Sequence, residues 1–322
     1  MLILSKTKWV YIGSGSIASK TASNIEKGDH EIVAVYSRNF EKAEQFAKSH
    51  GAKVYKTSKE AILHSGADAV YIATPHTSHK QYAMEALENK MPVLCEKPVG
   101  VTQQDVEELI DCAKRNDTYL AEAMWTWFSD VAITVKHWVQ SGEIGEVLSA
   151  SIYFQFPGLM KPKNSRVRLP ETAGGALLDV GIYPITYCYN LFGFPDKIEC
   201  NGIVQDGIDV SEDIILTYGN FKCKLNSAMK GIRSDCTITG TKGNIKLPAF
   251  FHMSNKAILQ NENGKKVFKG STDYLTEFTR AAEEFKGGLK ESRYVPLSAT
   301  LDCMKIMDEC RRQMNLVYPF EK

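Results

Sequence analysis

Trp9-Val10-Tyr11-Ile12-Gly13-Ser14-Gly15-Ser16-Ile17-Ala18 sets the folding pattern for the first part of this chain. Four consecutive apolar residues suit a strand buried on both faces. They run into G-x-G-x-x-A and then a polar-apolar stretch to Ile25 that reads as a helix, the strand-turn-helix context that a dinucleotide fingerprint requires. Gly13 permits the tight turn, Gly15 lets a pyrophosphate approach the backbone, and the small Ala18 lets the helix pack close to the strand. The backbone from Ser14 through Ser16 and Ile17 then aims N–H groups at the phosphates.

Working outward, residues 31–36 read as the second strand, at whose end an NAD site would carry an Asp or Glu for the ribose hydroxyl. Here Ser37 and Arg38 follow Tyr36. A carboxylate would repel a 2′-phosphate, whereas a hydroxyl and a guanidinium fork suit one, so NADP(H) is the expected cofactor, with NAD(H) still possible. Helical residues 40–49, a short strand at 53–55, helix 58–64 with Ser58 as its cap, and a strand at 67–73 continue the alternation. Helix 77–89, strand 92–95, helix 103–115 and strand 119–123 complete a parallel, doubly wound sheet.

In such a sheet ligands bind beyond the carboxyl ends of the strands. Thr74, Pro75, His76 and His79 follow the fourth strand, and Glu96-Lys97-Pro98 follow the fifth, so all lie on the cofactor side. Pro98 holds Lys97 extended and stops the strand with the ammonium at its end. His76 and His79 stand three apart without a third ligand at suitable spacing, so no metal is expected.

The formal net charge of +1, with both signs mixed along the chain, offers no basic field for nucleic acid and no polybasic anchor for a membrane. Small molecules are the expected partners. Eight scattered cysteines without a C-x-x-C pair suit reduced thiols. Leu2-Ile3-Leu4 is too short for a signal segment and no later run approaches a membrane span, so a soluble, cytoplasmic protein is expected. At 322 residues the chain exceeds most single domains. The expected division is a nucleotide-binding domain, 1–124, and a substrate-binding and oligomerisation domain, 125–322.

The second part has another texture. A long alternating strand at 146–157, strands at 198–205, 211–218, 223–229, 237–240 and 245–247, and helices at 273–285 and 297–314 read as an α+β domain with an open, mainly antiparallel sheet. Trp125, Trp127 and Phe128 cluster past the last parallel strand, and Trp125 is a candidate wall of a substrate pocket. If residues 177–183 are helical, Asp179 and Tyr183 share a face, and Gly181 keeps that face open for a ligand.

Gly13-x-Gly15-x-x-Ala18, Thr74-Pro75 with His79, and Glu96-Lys97-Pro98 together resemble the glucose-fructose oxidoreductase, inositol dehydrogenase and MocA (Gfo/Idh/MocA) family, whose nucleotide domain is a Rossmann fold. Glu122-Ala123-Met124-Trp125-Thr126 and Gly174-Gly175-Ala176-Leu177-Leu178-Asp179-Val180-Gly181-Ile182-Tyr183 are similar to its dimeric dihydrodiol dehydrogenase branch, which includes NADP-dependent xylose dehydrogenases. The resemblance places Lys97 beside nicotinamide and substrate. It also assigns proton transfer to Tyr183, where most of the wider family has His, and implies a homodimer or higher oligomer paired through the C-terminal sheet.

The expected reaction is hydride transfer between the nicotinamide and a carbinol carbon of a sugar, polyol or cyclic vicinal diol. Tyr183 serves as acid/base, Lys97 lowers its pKa or polarises the carbonyl oxygen, and Asp179 positions the substrate hydroxyl or the lysine. One rival is an NADP-binding sensor without turnover, which would have no use for Lys97, Asp179 and Tyr183 together. Another is a reductase of a non-sugar substrate on the same fold, to which the Trp125 cluster would be suited.

Overall fold

The computed structural model describes residues 6–321, and the Leu2-Ile3-Leu4 run lies outside them. The chain forms two compact units. The first runs through Trp125 and is completed by Asp273–Thr300; the second comprises Thr126–Thr272 and the residues from Leu301 onward.

In the first unit strands and helices alternate: β1 (Thr7–Ile12), α1 (Ser16–Ile25), β2 (His30–Tyr36), α2 (Phe40–His50), β3 (Lys53–Val54), α3 (Ser58–His64), β4 (Ala69–Ile72), α4 (His79–Glu88), β5 (Val93–Glu96), α5 (Gln103–Arg115) and β6 (Leu120–Ala123). The strands pair in parallel in the order β3-β2-β1-β4-β5-β6, so the direction of winding reverses between β1 and β4. Short polar side chains start the helices: Asn39 accepts the amide of Lys42 at 2.9 Å and Thr102 that of Asp105 at 3.1 Å. The cap of α3 is Thr57, accepting from the Glu60 amide at 3.1 Å, and not Ser58, which is already helical. Thr57 is extended, as a capping residue must be for its oxygen to reach forward to the third amide.

The second unit contains α6 (Asp130–Gln140), β7 (Val147–Gln155), a π-helical turn (Leu177–Gly181), α7 (Ile182–Phe192), β8 (Lys197–Gln205), β9 (Ile208–Tyr218), β10 (Phe221–Ala228), β11 (Ser234–Gly240), β12 (Gly243–Leu247), β13 (Lys256–Asn261) and β14 (Gly264–Lys269). Helices α8 (Tyr274–Lys286) and α9 (Leu297–Gln313) follow. The eight strands lie in the order β14-β13-β12-β11-β7-β10-β9-β8, antiparallel except where β7 meets β10. That parallel pair arises because the first strand of the unit inserts between two later ones, which spacing along the chain does not reveal.

Two expectations need correction here. The single boundary at 124 fails because α8 belongs with the first unit. Trp9, Tyr11 and Tyr71 present large rings from β1 and β4, and Phe278 of α8 packs against them with centroids 4.9, 6.4 and 4.8 Å apart. A parallel sheet needs both faces covered, and here one cover comes from far along the chain.

The expected pairing of the second sheet with another copy carries a further expectation, strands apolar on both faces. One face is indeed buried, with Ile152, Ile214, Leu216, Leu225 and Ile238, but Ser149, Ser151, Asp213, Thr217, Lys222, Lys224, Thr237 and Thr239 occupy most of the alternate positions, with Tyr153 and Ile215 among them. The alternation is that of a sheet with one polar face.

Candidate active site

The carboxyl ends of β1, β4 and β5 bring the first set of residues together. Gly13 has φ +110°, and a Cβ there would lie 2.5 Å from the carbonyl oxygen of Ala73, so only glycine fits where the two strand ends meet. A Cβ on Gly15 would meet nothing within 4 Å, and no side chain caps the start of α1. An uncapped helix N-terminus beside an open glycine fits a pyrophosphate. Ser14 and Ile17 are half-buried there, Ser16 is exposed and Ala18 is buried against the sheet. At the end of β2, Ser37 is half-buried and Arg38 exposed. Asn39, which follows them, is committed to capping α2.

Next to the glycine turn, Thr74 has a buried hydroxyl with no hydrogen-bond partner among the described residues, and Pro75 leads into a 3₁₀ turn at His76–Ser78. His76 is buried, with its ring 5.8 Å from that of His79. His79 is fully buried, and its ring nitrogens lie 2.8 Å from the Thr74 carbonyl oxygen and 2.8 Å from that of Pro98. It therefore ties the β4 loop to the E-K-P turn. Glu96 also turns inward and accepts the Tyr71 hydroxyl at 2.5 Å. Lys97 follows it, joined to Pro98 by a cis peptide bond.

Two acids near this turn escaped the reading of individual residues. Glu122 on β6 accepts the Val99 amide at 3.1 Å and the Thr300 hydroxyl at 3.2 Å. Burial pushes its carboxyl up to about 7, against the opposing pull of those donors and of the Lys97 charge. Glu277 on α8 is completely buried; burial first, and then the charge of Glu96, push it well above the carboxylate range. An acid inside the apolar strand 120–123, and another on the buried stripe of a helix, were the available signals. Trp125 is buried with its ring 5.1 Å from Tyr274. Trp127 instead stacks at 6.3 Å on Tyr189 in the second unit.

The second unit carries Asp179 and Tyr183. Asp179 lies in the π-helical turn and Tyr183 in the first turn of α7, so the segment is not one regular helix. Arg166 donates to Asp179 at 2.9 Å; they stand thirteen positions apart in sequence, and no local pattern announces the pair. The ring of Tyr183 packs beside Phe154 at 5.4 Å and His252 at 5.5 Å, with His252 stacked on Phe154 at 4.0 Å. Neither His252 nor Phe154 was anticipated.

Gly181 does not keep a face open. A Cβ there would lie 2.6 Å from Ser227 Oγ and 2.9 Å from Glu212 Oε1, so its smallness serves close packing on β9 and β10.

A parallel sheet whose first strand ends in a glycine turn and an uncapped helix start has the frame of a dinucleotide-binding domain. The profile of an oxidoreductase family with an NAD-binding Rossmann fold matches residues 7–123, and that of the GFO/IDH/MocA C-terminal domain matches residues 132–246. The chain belongs to the Gfo/Idh/MocA oxidoreductase family.

It is 30% identical to trans-1,2-dihydrobenzene-1,2-diol dehydrogenase of Xenopus laevis over 97% of this chain and 99% of that protein. It is 31% identical to the scyllo-inositol 2-dehydrogenase (NADP(+)) of Bacillus subtilis over 98% of this chain and 99% of that protein. In fold it resembles an aldose-aldose oxidoreductase from Caulobacter crescentus, with a TM-score of 0.87 at 18% identity over 96% of this chain and 98% of that one.

Proposed function

We propose that this chain is a cytoplasmic, NADP(H)-dependent dehydrogenase or reductase of a carbinol carbon in a sugar, polyol or cyclic vicinal diol. The observation that carries the reading is full-length similarity to two enzymes whose substrates, by name, are rings with neighbouring hydroxyls. NADP(H) preference rests on Ser37 and Arg38 where an acid would hold NAD. The NADP(+) in the name of the inositol dehydrogenase supports it. A reduced compartment suits a chain with eight scattered cysteines and no C-x-x-C pair.

In this reading the first unit holds the dinucleotide through the turn at Gly13–Ala18 and through the 74–76 loop, with Lys97 presented at the end of β5. The bound nicotinamide would supply hydride chemistry at the carbinol carbon. Tyr183 moves the hydroxyl proton, and Lys97 stabilises negative charge on oxygen. Asp179 orients a substrate hydroxyl together with Arg166, whose guanidinium it already holds. Self-association through the polar face of the second sheet is part of the same proposal.

The test is turnover of a panel of cyclic diols, inositols and aldoses followed by NADPH absorbance. Tyr183→Phe is expected to lower kcat by about 10² to 10⁴-fold, the usual contribution of a general acid/base. A variant that turned over a good substrate at the native rate would make the tyrosine structural.

A further inference from the structure

Beneath the turn that carries Asp179 and leads to Tyr183 lie two carboxyl groups of β9, Asp209 and Glu212, which are 0% and 1% exposed. Asp209 Oδ2 accepts the amides of Ala176 at 2.7 Å and Leu177 at 2.5 Å. Glu212 Oε1 accepts the hydroxyl of Ser227. The remaining oxygens, Asp209 Oδ1 and Glu212 Oε2, have no donor among the described residues, and the two carboxyls stand within hydrogen-bonding reach of each other.

Two glycines of the motif make room for them. A Cβ on Gly175, at φ +125°, would collide with Asp209 Oδ1, and one on Gly181 would crowd Glu212 and Ser227. The spacing of G-G-x-L-x-D-x-G in this chain thus answers to two buried acids.

We infer that Asp209 and Glu212 share one proton, carried by Glu212 and donated to an ionised Asp209, and that the pair acts as a positioning clamp for the segment bearing Asp179 and Tyr183. Two negative charges in contact inside a protein cannot both persist, and the donors to the pair are two backbone amides and a hydroxyl, none of them a cation. The backbone amides decide which acid keeps the charge. Two of them point at Asp209, favouring its ionised form, while Glu212 has a single hydroxyl donor. In agreement, burial raises Asp209 to about 6 against the pull of those amides, whereas burial and the charge of Asp209 raise Glu212 further.

The titratable groups facing the pair from other elements are Cys200 of β8, Cys310 of α9 and Tyr318. Tyr318, pushed up by burial, donates to the Gly174 carbonyl at 3.4 Å. The cation Arg311 stacks on the Tyr318 ring at 4.7 Å and is paired with Glu321 and Asp308.

The positioning role rests on the proposed functions of Asp179 and Tyr183; the shared proton does not. Two measurements on the full-length protein separate them. In urea unfolding between pH 6.5 and 8.5, the folded chain keeps a proton on Glu212 that the unfolded chain, with a glutamate near 4.3, has released. A raised folded-state pKa means stability that falls as pH rises, by about tenfold in the folding constant per pH unit for one proton. Glu212→Gln replaces the carboxylic acid by an amide that donates without titrating, so it should lose this tenfold step per unit. Equal slopes for native and variant proteins would overturn the shared proton.

For positioning, Glu212→Leu removes the donor to Asp209 and is expected to lower kcat by about ten to a hundredfold, the cost of a slightly misplaced reacting group, with NADPH affinity unchanged. Glu212→Gln should restore most of the loss. Native turnover in the leucine variant, or no rescue by glutamine, would overturn the clamp. Should the leucine variant not fold, the slope and turnover of the glutamine variant decide. If no panel substrate is turned over by the native chain, the proposed function fails while the unfolding slopes still decide the proton.

Discussion

At the scale of single residues, the cofactor side of the first unit was legible because its signals are backbone requirements. Gly13 is needed by any chain that turns at positive φ against a neighbouring strand, and Gly15 by any helix start that must remain open. Arg38 is a side-chain signal of another kind, exposed at the end of β2 with no acid at positions 36 to 39. Arg38→Ala is expected to weaken NADPH binding about tenfold or more, the value of a charge-assisted hydrogen bond, and to leave NADH nearly unchanged. Fluorescence titration of both nucleotides checks this, and equal affinities in the native protein would end the case for NADP. Less legible were the residues whose meaning depends on a partner. Glu277 looks like an ordinary helical acid until it is found buried near Glu96, and Asp179 shows its hold on Arg166 only once the 166–179 segment has folded back.

Among the elements, long periodic segments were read correctly and weakly patterned ones were not. Helix α6 is rich in β-branched residues, which blur its helical signal. Strand β14 carries Lys265, Lys266 and Lys269, the composition of a protected sheet edge and a poor advertisement for a strand. Helix α8 was seen but assigned to the wrong unit, because its buried side fits an aromatic face more than 200 residues earlier in the chain. Its attachment can be tested at one side chain. Phe278 is completely buried among Trp9, Tyr11 and Tyr71, so Phe278→Ala should destabilise the protein by about 3 to 5 kcal/mol, the range for emptying an aromatic site in a core. Urea unfolding of the variant measures this, and a loss below about 1 kcal/mol would mean that α8 is not anchored there.

For the chain as a whole, association is the property most exposed to correction. The open face of the second sheet is polar, with Lys197, Lys222 and Lys224 set among Glu199, Asp213 and Asp235. A face carrying both signs can pair with its own copy across a twofold axis. Light scattering at micromolar concentration is expected to give twice the 36.0 kDa chain mass at low salt, with dissociation favoured as salt screens the charges. A single-chain mass at low salt would refute it. Strand periodicity, glycine turns and strand-end motifs were enough for the parallel nucleotide-binding sheet and the family, because they are local and survive without knowledge of what packs on them. Only the tertiary structure decided which unit owns α8, which sheet face is polar, and that Gly175 and Gly181 yield space to Asp209 and Glu212. In each of these cases the free energy resides in burial or hydrogen bonding between segments distant along the chain, and neither segment carries the identity of its partner.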